Sequence, residues 1–328
     1  MLALSICSNH VNKSVSPSGA NMNRKIKDQF ILHVIVLIWG YTGIIGKWST
    51  LDPDQLVFLR MGAAFFVLSV FFRKKLLQVP LLFALKFMGV GCLIAAHWIT
   101  FFAAIDFSNV SIALACMAST SVFAAFMEPM IYKRRLAIDE VLTSLLAMIG
   151  VMLIFGVSTG FELGIGCALI SSALAATFTI INGILYKQNV ATWASKGGSG
   201  LMTTYEMLGG FLAIGVYQMF FGTELGEWNL TDQNIALAIV LGVVCTAIPF
   251  AAAIYVMRSL SPFTACITVN LEPVYAIMLA LLHFGESERM TTNFYLATLL
   301  IIGAVMINGL LKYRKASSGV SEEIGQIS

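Results

Sequence analysis

Ten times between residues 30 and 312 the chain sustains an apolar run of 18 residues or more, and no other feature restricts its fold as much. The runs cover roughly 30 to 47, 55 to 72, 80 to 104, 108 to 131, 137 to 156, 163 to 187, 200 to 222, 234 to 257, 262 to 285 and 292 to 312. A stretch of that length and character matches the thickness of a bilayer as a helix. Barrel strands would be about ten residues of alternating polarity, whereas these runs are continuously apolar, so the expectation is an all-α integral membrane protein with ten transmembrane helices. Composition agrees: 58% of the 328 residues are hydrophobic and 11% charged, against the roughly 25% charged residues of a soluble domain. The connections are too short to hold a folded soluble domain, so function must reside within the bundle.

Charge orients the chain. With the N-terminus in the cytoplasm, every second loop is cytoplasmic, and the basic residues gather there: Arg24, Lys25 and Lys27; Arg73, Lys74 and Lys75; Lys133, Arg134 and Arg135; Lys187 and Lys196; Arg258; Lys312, Arg314 and Lys315. The opposite loops carry Asp52, Asp54, Glu162, Glu224, Glu227, Asp232, Glu286 and Glu288, with Arg289 the main basic exception. This positive-inside pattern places both termini in the cytoplasm. Residues 1–28 are expected to be a cytoplasmic, disordered N-terminus. The first 21 residues lack the basic start and long apolar core of a cleaved signal, and Met22 opens MNRKIKDQF, which reads as a natural start with a basic flank. Residues 313–328 are the expected cytoplasmic tail.

Shifted by 153 positions, the chain aligns with itself without a gap over the third to fifth and eighth to tenth runs. Gly89, Val90 and Cys92 fall on Gly242, Val243 and Cys245; Ser108 falls on Ser261; Gly150 and Gly156 fall on Gly303 and Gly309. Few residues match, but the runs, loops and glycines stay in phase, which is the mark of a duplication. A five-helix unit has an odd number of crossings, so its second copy must be upside down. The charges reverse accordingly, Lys133-Arg134-Arg135 falling on Glu286-Ser287-Glu288. Two inverted halves, 29–157 and 162–312, are a transporter architecture with its site near the midplane between them.

Several stretches resemble the EamA repeat of the drug/metabolite transporter superfamily: WGYTGIIGK, FLRMGAA and SNVSIALACMASTSVFAAFMEPMIYKRRLAIDE in the first half, NLEPVYAIMLALLHFGESERM and FYLATLLIIGAVMING in the second. The resemblance covers about residues 30 to 312. It implies a ten-helix secondary transporter, of a kind that frequently exports amino acids or other metabolites, and names no substrate. The halves differ where Ser119-Thr120 stand opposite Glu272-Pro273.

Those positions supply the candidates. Glu272 is about the eleventh residue of its run, near the bilayer centre, where an unpaired charge costs about 2.5–3.5 kcal/mol on insertion scales. It is the candidate proton-coupling group, the bland reading being a protonated acid bonded within the bundle. Pro273 leaves the carbonyl of Val269 without its helical donor and can break the helix. Asn270 adds an amide nearby, and Tyr275, three residues on, shares the face of Glu272. His97 and Trp98 are a polar-aromatic pair well inside the third run, and Pro249 stands opposite Ala96 in the repeat as a second helix break. Trp39 and Tyr41 join the candidate substrate cavity chiefly through the resemblance. Arg60 and Glu206 are further buried-charge candidates able to pair structurally or snorkel, and Glu128 reads as a structural partner of the Lys133 cluster.

The expected function is non-ATP-driven transport of a small metabolite, by export of amino acids or related compounds, from a bacterial inner membrane. The chain carries no GxxxxGKS or GxxxxGKT phosphate loop. The expected partners are a small-molecule substrate, the lipid bilayer and a proton or other coupling ion, with no nucleic acid. The alternative, a membrane enzyme acting on lipid or prenyl chains, calls for HExxH or DDxxD, which the chain lacks. No cofactor or metal is expected: the six cysteines are scattered, with no CxxC pair.

Overall fold

The computed structural model describes residues 19–132, 138–157, 159–193, 198–222, 227–256, 268–269 and 271–325, and among these residues there is no strand. The helices are α1 (Gly19–Gly40), α2 (Thr42–Trp48), α3 (Pro53–Leu76), α4 (Leu81–Asp106), α5 (Val110–Met117), α6 (Thr120–Tyr132), α7 (Ile138–Val157), α8 (Glu162–Trp193), α9 (Gly198–Phe221), α10 (Asp232–Gly242), α11 (Ile248–Val256), α12 (Glu272–Phe284) and α13 (Thr292–Gly325). Six stretches are long and apolar enough to cross a membrane: Ile26–Trp48, Pro53–Leu76, Leu81–Asp106, Val110–Glu128, Glu162–Tyr186 and Asp232–Ala253. Val274–Ser287 and Thr292–Ala304 are shorter apolar helices. Helix also occupies the described parts of the other four expected runs. Length and apolarity therefore support six of the ten expected crossings.

Helix extends further at both ends than the apolar runs. Residues 19–28 belong to α1, and α13 continues to Gly325. Neither flank contains a proline, and a helix once nucleated within a span propagates at little cost into a compatible neighbour.

The packing repeats itself when the first five runs are exchanged for the last five. Helix α4 lies against α8 and α9, while the α10–α11 segment lies against α1 and α3. Likewise α6 touches α8, and α12 touches α1. The pairs α3–α9, α5–α12 and α7–α13 join equivalent helices across the pseudo-symmetry. Small residues permit the closest of these approaches: a methyl group at Gly91 would collide with the Glu206 carbonyl oxygen, and one at Gly209 with the backbone of Met88. Without a hydrophobic driving force between helices in lipid, such backbone contact is a principal source of association.

Four runs are interrupted. The first breaks at Tyr41, where Thr42 donates its hydroxyl to the Trp39 carbonyl at 2.7 Å. The fourth breaks at Ala118-Ser119, with Ser119 Oγ donating to the Cys116 carbonyl at 2.7 Å and Thr120 Oγ1 to that of Met117 at 2.8 Å. The eighth widens into a π-helical turn at Val243–Ala247, directly before Pro249 in the first turn of α11. The ninth restarts at Glu272, with Pro273 in its first turn. There a missing backbone N–H costs nothing, because that donor has no helical acceptor. Pro273 thus opens a helix rather than bending one.

At one end of the bundle a hydrogen-bonded knot joins the two halves. Asn234, 2% exposed at the start of α10, accepts from Thr50 N at 3.1 Å and from Ser49 Oγ at 3.4 Å, and donates to Thr50 Oγ1 at 2.8 Å. Asn229 donates to the same hydroxyl at 2.7 Å.

Candidate functional site

The π-helical turn shapes the centre of the bundle. Pro249 has no N–H to offer the carbonyl of Cys245, and the wider turn before it relieves the register. Widening frees the Leu241 carbonyl, which accepts from Thr246 Oγ1 at 2.8 Å. The Thr246 oxygen in turn accepts from Arg60 Nε on α3 at 2.6 Å. A proline in the second half thereby fixes a guanidinium in the first.

Arg60 is 1% exposed, and its guanidinium lies over the Trp98 ring at 3.9 Å, with Phe102 at 5.9 Å. Stacking of this kind suits the planar, weakly hydrated guanidinium. Phe250 joins the cluster: it contacts Trp98 edge-on at 5.5 Å and Trp39 at 5.6 Å. Glu272, half-buried at the start of α12, lies within electrostatic reach of Arg60. Its carboxyl occupies a helix N-terminus, where the backbone favours negative charge. Among the described residues Arg60 forms no ion pair within bonding distance, and its Nη1 has no hydrogen-bond partner. The indole Nε1 of Trp39 is likewise buried without a partner.

Of the residues singled out from sequence, Trp39, Trp98 and Glu272 are brought to this cluster, and Pro249 shapes it from behind. His97 turns the other way. Its Nδ1 lies 2.9 Å from the Ser171 carbonyl, to which only a protonated nitrogen can donate, and Ser171 Oγ donates back to the His97 carbonyl at 2.9 Å. Its ring meets Phe178 at 5.4 Å, so the histidine is held against α8. Tyr41, past the break that ends α1, shares a 2.8 Å hydrogen bond with His283 Nε2 near the far end of α12, away from Arg60. Tyr275 lies where α12 crosses α1, its Cβ facing Gly40. Asn270 lies outside the described residues. Pro273 follows Glu272 in the opening turn.

Arg60, Thr246 and Phe250 complete the cluster. Arg60 was visible as a charge within an apolar run, whereas Thr246 and Phe250 carry no chemical signal of their own. Position could have found Phe250, since it is the residue 153 places beyond His97. Glu206, unlike Glu272, is fully buried, on α9, and neither of its carboxyl oxygens has a hydrogen-bond partner among the described residues. It lies against the Gly91 crossing, with no cation in reach among the described residues. No group of three or more candidate metal ligands occurs among those residues.

Comparison with known proteins bears on what this cluster does. The model of the EamA-like transporter family matches the chain twice, at residues 29–156 and 163–310. The chain is 23% identical over 298 residues to "Uncharacterized transporter YdfC" of Bacillus subtilis (strain 168), spanning 88% of this chain and 92% of that protein. It is 22% identical over 304 residues to "Uncharacterized transporter YwfM" of the same organism, spanning 90% and 98%. A solved crystal structure of a protein superposes with a TM-score of 0.61 at 13% identity, covering 88% of this chain and 98% of its own, which establishes a shared fold.

Proposed function

Since this chain belongs to the EamA-like transporter family, within the drug/metabolite transporter superfamily, we propose that it is a secondary transporter that exports amino acids or related small metabolites. Ten crossings in two inverted halves, both termini in the cytoplasm of a bacterial inner membrane, complete the reading. The observation that carries it is the joint origin of the central cluster: Trp39, Arg60 and Trp98 come from the first half, and Thr246, Phe250 and Glu272 from the second. A site assembled by two halves changes shape when one rocks against the other, which is what alternating access requires.

Glu272 is the coupling group in this reading. A carboxyl in apolar surroundings stays charged only while a cation stands near, so loss or gain of a proton and approach or retreat of Arg60 are linked. Intracellular and medium metabolites are to be compared between overexpressing and deletion cells, followed by reconstitution into proteoliposomes. The expected result is enrichment of one chemical class in the medium and its release from vesicles. No solute movement in either assay would end the transport reading, and enrichment inside the cells would reverse its direction.

A further inference from the structure

Both polar atoms left without partners at the central cluster are donors. Arg60 Nη1 and Trp39 Nε1 are buried, and neither has an acceptor among the described residues. The two residues are linked through Phe250, which touches Trp39 on one side and, on the other, the Trp98 ring on which the Arg60 guanidinium rests. Buried donors without acceptors are costly, and a guanidinium more so than an amide. Thr246 satisfies only Nε, and the hydroxyl is itself committed to Leu241. Glu272 offsets the charge of Arg60 from a distance without bonding to it.

We infer that the transported solute carries a carboxylate, and that Arg60 and Trp39 together bind it, with the aromatic rings of Trp98 and Phe250 forming the wall beside it. This rests on the transport reading and names its substrate class. A neutral solute could accept from these donors through hydroxyl or carbonyl oxygens but would place no negative charge against the guanidinium, and a cationic one would be repelled by it. A carboxylate accepts from both, since its two oxygens present about four lone-pair sites, and charge-assisted bonds to arginine are the stronger kind. Binding draws Arg60 toward the solute, and Glu272 reclaims it on release. The two carboxylates alternate as partner to one guanidinium.

The test uses purified full-length protein in proteoliposomes preloaded with three solute classes. The first holds the common amino acids, pyruvate and succinate; the second, glucose and nucleosides; the third, choline and putrescine. Release is read by mass spectrometry against protein-free vesicles. The expected result is release confined to the carboxylates, with neutral and cationic solutes at less than about one-tenth of that rate. Trp39→Phe keeps the ring and loses the donor. It should raise the half-saturating concentration of the same solutes roughly three- to tenfold without changing the class released. Thr246→Val should act in the same direction by loosening Arg60, and Arg60→Gln should reduce release to the protein-free level while Arg60→Lys recovers part of it. Should Arg60→Gln fail to elute as a folded species, the solute class of the parent protein and the Trp39→Phe shift still decide. Release of glucose or choline at carboxylate rates, or an unshifted half-saturation in Trp39→Phe, would overturn the inference and leave transport standing. No release of any solute would remove both.

Discussion

The fourth helix of each half is broken at the same place by different means. In the first half the break falls at Ala118-Ser119, and Ser119 and Thr120 turn their hydroxyls onto the carbonyls of Cys116 and Met117. In the second half, 153 positions on, the helix restarts at Glu272 with Pro273 in its first turn. Backbone freed at this depth has to be satisfied by protein, and hydroxyls can do that as well as a proline can avoid it. The break thus belongs to the architecture, whereas the carboxyl belongs to one half alone. Shape has been kept by both copies and chemistry by one.

Four variants separate these roles. The largest effect is expected from Glu272→Gln, which removes the charge and keeps the shape: flux in proteoliposomes should fall tenfold or more across about pH 6 to 8, with insertion unchanged. Unaltered flux would reduce the two halves to chemical equivalents. Next, Ser119→Ala with Thr120→Ala removes one hydroxyl bond from each of the Cys116 and Met117 carbonyls, the former keeping the Ser119 N–H and Ser172 Oγ, and should cost about 0.5–1.5 kcal/mol each in stability. Thermal unfolding in detergent reads the loss, while flux per folded molecule should stay within about twofold. His97→Phe makes the third helix resemble its mate, which has Phe250 at that position. The ring can still meet Phe178 and Ser171 Oγ can still donate to the carbonyl of residue 97, but the Nδ1 bond to the Ser171 carbonyl goes, at about 1 kcal/mol. A tenfold loss of flux with a displaced pH profile would return His97 to the working site. Pro273→Ala should do least, below about 1 kcal/mol, because a proline in the first turn breaks no helical hydrogen bond. A large drop in flux would show that the second break depends on its proline after all.

Much of this was legible in the sequence because lipid leaves few options. Helices had to occupy the apolar runs, and the 153-residue register put Ser119 opposite Glu272 before any coordinates. Side-chain direction was less accessible. Trp39 and Tyr41 are two residues apart, yet the break at Tyr41 sends one to Phe250 and the other to His283. His97 and Trp98 are adjacent, and adjacent helical residues point about 100° apart, so one meets α8 and the other Arg60. The Arg60–Thr246 bond spans 186 positions. Such a contact leaves no local periodicity to read; it follows from the π-helical turn, which only the folded chain reveals. Of the runs not counted as spans, α9 carries Glu206 and several glycines, and the apolar stretches Val274–Ser287 and Thr292–Ala304 are short.

The knot around Asn234 has a kinetic consequence. Four hydrogen bonds there cross between the halves, from Ser49, Thr50, Asn229 and Asn234. At about 0.5–1.5 kcal/mol net for each, parting them costs about 2–6 kcal/mol. That holds the unknotted form to roughly one molecule in thirty at most, and far fewer at the upper figure. With the proposed orientation this is the outer end, so exposing the proposed site to the medium means parting these bonds first. In the proposed cycle gradients set the net direction of flow, and the knot sets how often this end comes open.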